Sequence, residues 1–109
     1  MKSIFLFSLC CLEVILLVFP KIALCQEWKW ITPKPQGNDL YSVFFTNLTT
    51  GYSCGENGTI IKTTNNGEQW FLQNSGTKQS LKNIFFLDEN TGFSVGWGGT
   101  ILKTVNAGA

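Results

Sequence analysis

Residues 40–70 read LYSVFFTNLTTGYSCGENGTIIKTTNNGEQW, and residues 81–109 read LKNIFFLDENTGFSVGWGGTILKTVNAGA. The second stretch is the first written again at a constant offset of 41, the distance from Leu40 to Leu81. Leu40, Phe44, Phe45, Thr50, Gly51, Ser53, Gly55, Gly58, Thr59, Ile60, Lys62, Thr63, Asn65 and Gly67 all recur unchanged at that offset. Average residue usage would give roughly two coincidences over such an overlap, so the chain holds an internal repeat.

Each unit reads as a series of short strands. Leu40 to Thr46 is rich in aromatic and β-branched residues and apolar on both faces, as a strand between two layers is. Gly51 to Gly55 follows, and Asn57-Gly58 is a two-residue turn signal joining it to Thr59 to Thr64 as a hairpin. A second turn, Asn65-Asn66-Gly67, leads into a strand over Gln69 to Gln73. The second copy repeats the order through Leu81, Gly92 to Gly96 and Thr100 to Thr104. Four short antiparallel strands in a tandem unit of this length predict an all-β fold of β-propeller blades. Gly51, Ser53 and Gly55 fall on one face of the second strand, where small residues are expected to let adjacent sheets approach. Propellers close with about four to eight blades, so two units predict an incomplete ring, with blade 1 over 40–80 and a truncated blade 2 over 81–109. The chain stops inside the second Asn turn, which predicts further blades beyond it.

Upstream of the repeat, residues 1–25 read as a secretory signal that forms a helix. Lys2 is a short positive region, Ile4 to Phe19 an apolar core, and Ala23-Leu24-Cys25 a small-x-small cleavage site before Gln26. The apolar run is shorter than a span needs and contains Glu13, so no stable membrane span is expected after cleavage. Leu24 stands where a lipoprotein would have a small residue before Cys25, which argues against lipidation. The expected location is secreted, periplasmic or at the cell surface. Glu27 to Thr32 then alternates aromatic and polar residues as a half-buried strand does. Residues 26–39 thus read as an N-terminal strand able to complete the last blade and close the ring.

With the signal removed, Cys54 is the one cysteine, so export here implies no intrachain disulfide. From Gln26 onward six lysines (29, 34, 62, 78, 82, 103) balance six acids (27, 39, 56, 68, 88, 89), and the whole chain has no His and no Arg. Nucleic acid would call for a basic patch that this composition lacks.

Thr63-Thr64-Asn65-Asn66-Gly67-Glu68-Gln69-Trp70 resembles the Asp-box, or bacterial neuraminidase repeat, and Thr104-Val105-Asn106-Ala107-Gly108 begins the same motif. The resemblance implies a structural turn built from Thr63, Asn65, Gly67 and Trp70 and again from Thr104, Asn106 and Gly108. Both copies have Asn where the motif usually has Asp. The fuller unit, with its Phe-Phe, Thr-Gly-aromatic, Gly-Thr-Ile and Lys-Thr elements, resembles the repeats of the photosystem II stability and assembly factor family and its relatives in secreted bacterial proteins. That resemblance covers Trp28 onward and implies a propeller that binds a protein.

Three functions are weighed on these residues. The first is an exported, non-enzymatic binding scaffold for protein or glycan. The second is the N-terminal part of an Asp-box glycoside hydrolase with its catalytic residues in further blades. The third is a photosystem II assembly or stability factor. A sialidase holds its substrate carboxylate with arginines, and none is present. Asp88 and Glu89, the only adjacent acids, read as a solvated loop. No catalytic, cofactor or metal site is expected. Cys54 aligns with Val95 and reads as a small core residue. Trp28, Trp30 and Trp70 read as blade packing, and the aligned Lys62 and Lys103 as a repeated solvent-facing position. Trp97 falls in the turn where the first copy has Glu56-Asn57, and is expected to cap that turn or to stack on a sugar or partner.

Overall fold

The computed structural model describes residues 27–31 and 36–109. The chain divides into two units, Met1–Trp30 and Ile31–Ala109. Only Glu27–Trp30 of the first belongs to the described residues, and the signal reading of residues 1–25 lies outside them. Of the strand expected within residues 26–39, Glu27–Ile31 and residues 36–39 belong to the described residues; Glu27–Ile31 is in extended or irregular chain, and Trp28 and Trp30 are exposed.

The second unit holds two antiparallel sheets. The first runs β1 (Leu40–Phe45), β2 (Gly51–Gly55), β3 (Ile60–Thr63) and β4 (Phe71–Gln73), in that spatial order. The second repeats it as β5 (Leu81–Phe86), β6 (Gly92–Gly96) and β7 (Ile101–Thr104). The hairpin turns have a stated local cause. Asn57 (φ 55°, ψ 33°) and Gly58 (φ 73°) both take the left-handed region, and Thr59 N–H donates to the Glu56 carbonyl at 3.0 Å. Two positive φ values in succession define the turn whose twist matches a hairpin, and Asn-Gly is the sequence that tolerates it best. Gly98 and Gly99 repeat the geometry at φ 66° and 72°.

Successive residues of β1 serve opposite faces, as the register shows. Val43 lies opposite Ser53, and Phe45 opposite Gly51, on one face; Phe44 lies opposite Tyr52 on the other. The second face of sheet one packs against sheet two. There the Tyr52 ring stacks on Phe86 at 4.1 Å, Phe44 meets Phe85 edge-on at 5.6 Å, and Cys54 lies against the Leu81 carbonyl. Tyr52, Cys54, Leu81, Ile84 and Phe86 form the buried core, so the core lies between the sheets rather than within either one.

The small residues of β2 act differently from expectation. Gly51 lies under the Phe45 ring of its own sheet, and a Cβ there would fall 2.7 Å from that ring; Gly92 and Phe86 repeat the pair. Gly55 admits the Asp39 carbonyl, which accepts a hydrogen bond from Glu56 N–H at 2.9 Å. These glycines therefore fix pairing inside a sheet, and it is the large side chains Tyr52 and Phe86 that join one sheet to the next.

Candidate functional site

Each sheet carries a bulge at the start of its first strand. Leu40 pairs with Gly55 and Ser42 with Cys54, so Tyr41 has no partner; Leu81 and Asn83 leave Lys82 in the same position. A bulge turns its extra residue out of the ladder, which is how sheets commonly aim a side chain at a ligand. Antiparallel pairing sets the start of β5 beside the end of β6, and Trp97 follows directly after Gly96. Lys82 Nζ thus lies 3.7 Å from the centre of the Tyr41 ring and 5.5 Å from that of Trp97. Trp97 N–H donates to the Ser80 carbonyl at 3.0 Å, which holds its backbone, while its side chain remains 62% exposed. The ring does not bury itself as a turn cap. Tyr41, Lys82 and Trp97 together present two flat apolar rings and one cation to solvent. Such a set suits stacking on a planar or apolar group beside a carboxylate or carbonyl. In the first copy Glu56 occupies the Trp97 position and accepts from Asp39 N–H at 3.1 Å, so the pair of rings is particular to this one site.

At the opposite end of the sheets lie the two Asn turns. The Thr63 hydroxyl donates to Asn65 Oδ1 at 2.9 Å and accepts from Gly67 N–H at 3.0 Å; Asn65 Oδ1 accepts from Gln69 N–H at 2.9 Å. Gly67 sits at φ 86°, and Trp70 Nε1–H donates to its carbonyl at 3.1 Å. Thr104, Asn106 and Gly108 repeat the first contacts, with the Thr104 hydroxyl donating at 2.8 Å to Asn106 Oδ1 and accepting from Gly108 N–H at 2.9 Å. The amide oxygen of Asn accepts what a carboxylate would accept, which explains how Asn serves in this turn. Trp70 is half-buried and meets Phe45 edge-on at 6.3 Å.

The second turn is also held from the neighbouring sheet. The Ala107 carbonyl accepts from the Tyr52 hydroxyl at 2.9 Å and from Lys62 Nζ at 3.0 Å. Lys62 Nζ stands 5.4 Å from the Tyr52 ring. The solvent-facing position expected for Lys62 is therefore corrected: it is half-buried and ties one sheet to the turn of the next. Ala107 itself lies at φ 60°, and Asn66, its counterpart in the first copy, at φ 64°.

The remaining candidates are structural in their surroundings. Cys54 is fully buried, and burial pushes its thiol above the ordinary range, with a hydrogen bond to Ser94 pulling weakly the other way. Asp88 is exposed and accepts from the amides of Asn90 and Thr91, each at 2.8 Å, which hold its carboxyl below the usual range. Asn47, its counterpart, does the same for Thr49 and Thr50. Glu89 accepts from Asn47 Nδ2 at 3.0 Å. A groove of about 310 Å³ opens between the sheets, lined by Tyr52, Gln73, Phe86, Phe93, Lys103 and Asn106 among others. It lies beside β7, which has no fourth strand next to it among the described residues. Sequence reasoning singled out Trp97 but missed Tyr41 and Lys82, because a bulge leaves no mark in hydrophobic alternation. Gly55 and Gly96, the paired glycines, are its only trace in the sequence.

Comparison with known proteins agrees with the all-β fold. Among solved structures, the chain is similar to one described as "YCF48 bound to D1 peptide", with a TM-score of 0.62 and 21% identity. The match covers 68% of this chain and 25% of that one, so the chain spans about a quarter of the solved protein's length. No curated protein matches. The family model described as "Photosynthesis system II assembly factor YCF48" matches residues 20–105. Two tandem sheets of propeller type, joined face to face and covered by that match along most of their length, make this chain a member of the YCF48 family.

Proposed function

We propose that the chain is part of an exported, non-catalytic β-propeller scaffold that binds a segment of another protein at Tyr41, Lys82 and Trp97. The observation that carries the reading is the bulged, solvent-facing cluster in which Lys82 Nζ stands 3.7 Å from the centre of the Tyr41 ring and 5.5 Å from that of Trp97. The solved relative holds a peptide, which makes a peptide the first ligand to try. Export rests on the pattern of residues 1–25, and Edman sequencing of the exported product is expected to begin at Gln26.

Binding is tested by titrating a D1 peptide into the chain and following tryptophan fluorescence and heat. Trp97→Ala and Lys82→Ala are each expected to weaken binding roughly tenfold or more, the loss of about 1.4 kcal/mol that removing one stacked ring or one partly desolvated cation implies. Unchanged affinity in both variants would remove the cluster from the site. Because an exposed tryptophan also stacks on sugars, a neutral oligosaccharide series is titrated in parallel. Saturable binding of a sugar that is lost in Trp97→Ala, without peptide binding, would replace the protein ligand by a glycan.

A further inference from the structure

At the bulged end the two copies differ, and the differences gather on the Trp97 turn. Gln79 is the counterpart of Asn38, and Thr100 of Thr59. In the first copy this pair is structural: Asn38 Nδ2 donates to the Thr59 hydroxyl at 2.8 Å, Asn38 is half-buried and Thr59 is buried. In the second copy the pair does not form. The Thr100 hydroxyl donates instead to the Trp97 carbonyl at 2.7 Å, and Gln79 is exposed, its carboxamide making no hydrogen bond among the described residues. The main chain around it is nonetheless held. Gln79 N–H donates to the Thr77 hydroxyl at 3.1 Å, and the next carbonyl, that of Ser80, accepts from Trp97 N–H at 3.0 Å. The carboxamide lies against Gly98, the residue after Trp97, 3.5 Å from where a side chain there would begin. Gln79 thus stands at the foot of the Trp97 turn with its backbone fixed and its amide open to a ligand. This end also stays open within a row of units. Tyr41 belongs to the copy that has another after it and Lys82 to the copy that has another before it, yet both are exposed, and Glu56, in the Trp97 position of the earlier copy, keeps part of its surface open.

We propose that Gln79 reads the main chain of the bound segment, its Oε1 accepting from one peptide N–H and its Nε2 donating to the carbonyl beside it. A carboxamide carries one acceptor and one donor side by side in a plane, and a residue of an extended segment shows its N–H and C=O on the same side. The inference rests on the reading of Tyr41, Lys82 and Trp97 as a peptide site and adds what the ligand must be there: extended main chain, with a side chain left to the Trp97 ring and a carboxylate or carbonyl left to Lys82. A ring face holds any flat group and sets no register. An N–H and a C=O met together fix which residue of the segment lies over the turn. Asn38 is already bonded to Thr59, so this role is confined to the second copy, where Trp97 also stands.

Backbone-ester scanning of a D1 peptide against the full chain tests it. Each ester replaces one N–H by oxygen and keeps the shape of the peptide. Binding is followed by heat for the wild-type chain and for Gln79→Met, which keeps the length of the side chain and removes its polar atoms. Gln79→Met is expected to weaken the unmodified peptide roughly tenfold, the size of two neutral hydrogen bonds. One ester position is expected to cost the wild-type chain about threefold to tenfold and Gln79→Met nothing, a coupling that a merely structural role of Gln79 does not produce. Unchanged affinity in Gln79→Met, with Trp97→Ala still weakening the peptide, would overturn the role of Gln79 and leave the cluster standing. So would a loss in Gln79→Met to which no ester position is coupled. A wild-type chain that binds no D1 peptide would overturn this inference together with the peptide site beneath it. Gln79 is exposed between β4 and β5, so Gln79→Met is expected to keep the wild-type urea midpoint. If it does not, Gln79→Ala is read by the same rule.

Discussion

Alanine at Phe86 and alanine at Phe45 compare the same repeat position with and without a neighbouring sheet. Phe86 is buried, stacked on Tyr52 at 4.1 Å and seated over Gly92, so its removal leaves a cavity in the buried cluster that joins the sheets. Truncating such a core phenylalanine costs about 3–5 kcal/mol. Phe45 lies over Gly51 in the same way and meets Trp70 edge-on at 6.3 Å, but close to half of its surface is open to water. Losing one aromatic contact and roughly half the burial of a ring amounts to about 1–2 kcal/mol. The expected difference is therefore about 2 kcal/mol, or roughly thirtyfold in the folding equilibrium. Urea unfolding followed by tryptophan fluorescence measures it. Equal losses at the two positions, or a larger loss at Phe45, would refute the view that stability resides between the sheets.

Three further outcomes follow from the same contacts. Tyr52→Phe removes one of the two donors to the Ala107 carbonyl and keeps the stack, so a loss of about 1 kcal/mol is expected in urea unfolding, with little further loss when Lys62→Met is added if the two donors act as a unit. Ala107→Asn places in the left-handed turn the residue that the first copy uses there, and is expected to raise stability by roughly 0.5 kcal/mol, seen as a higher melting temperature. Cys54 has a raised folded-state pKa, so above about pH 8.5 the unfolded chain ionises while the folded chain does not, and stability falls as pH rises through that window. Cys54→Val, the residue present at the aligned position 95, is expected to flatten the alkaline part of the stability profile measured by urea unfolding between pH 7 and pH 10.

How far the sequence spoke depended on where a residue's partner lay. The boundaries of β2 and the Asn57-Gly58 turn were legible, because glycine at a strand end and a pair of left-handed residues state their geometry locally. The alternation of Val43 and Phe45 against Phe44 announced a strand with two apolar faces, of which the described residues cover the Phe44 face and leave Val43 and Phe45 exposed. The part played by Lys62 was not legible, since its acceptor is a main-chain carbonyl 45 residues away, and a carbonyl has no letter in the sequence. The candidate site was half visible. Trp97 announced itself as an aromatic in a turn, whereas Tyr41 and Lys82 gain their meaning only from the register shifts after Leu40 and Leu81.

The division of labour between Phe44 and Phe45 bears on how such a protein grows over evolutionary time. Adjacent residues of one strand look in opposite directions, so a single unit carries both the plug for the unit before it and the socket for the unit after it. An in-frame duplication of one such gene segment therefore produces a unit that already fits its parent, with no new surface to be invented. Divergence is then free to act on the bulge and its facing turn, where one copy has Glu56 and the other Trp97, while Phe44 and Phe45 recur as Phe85 and Phe86.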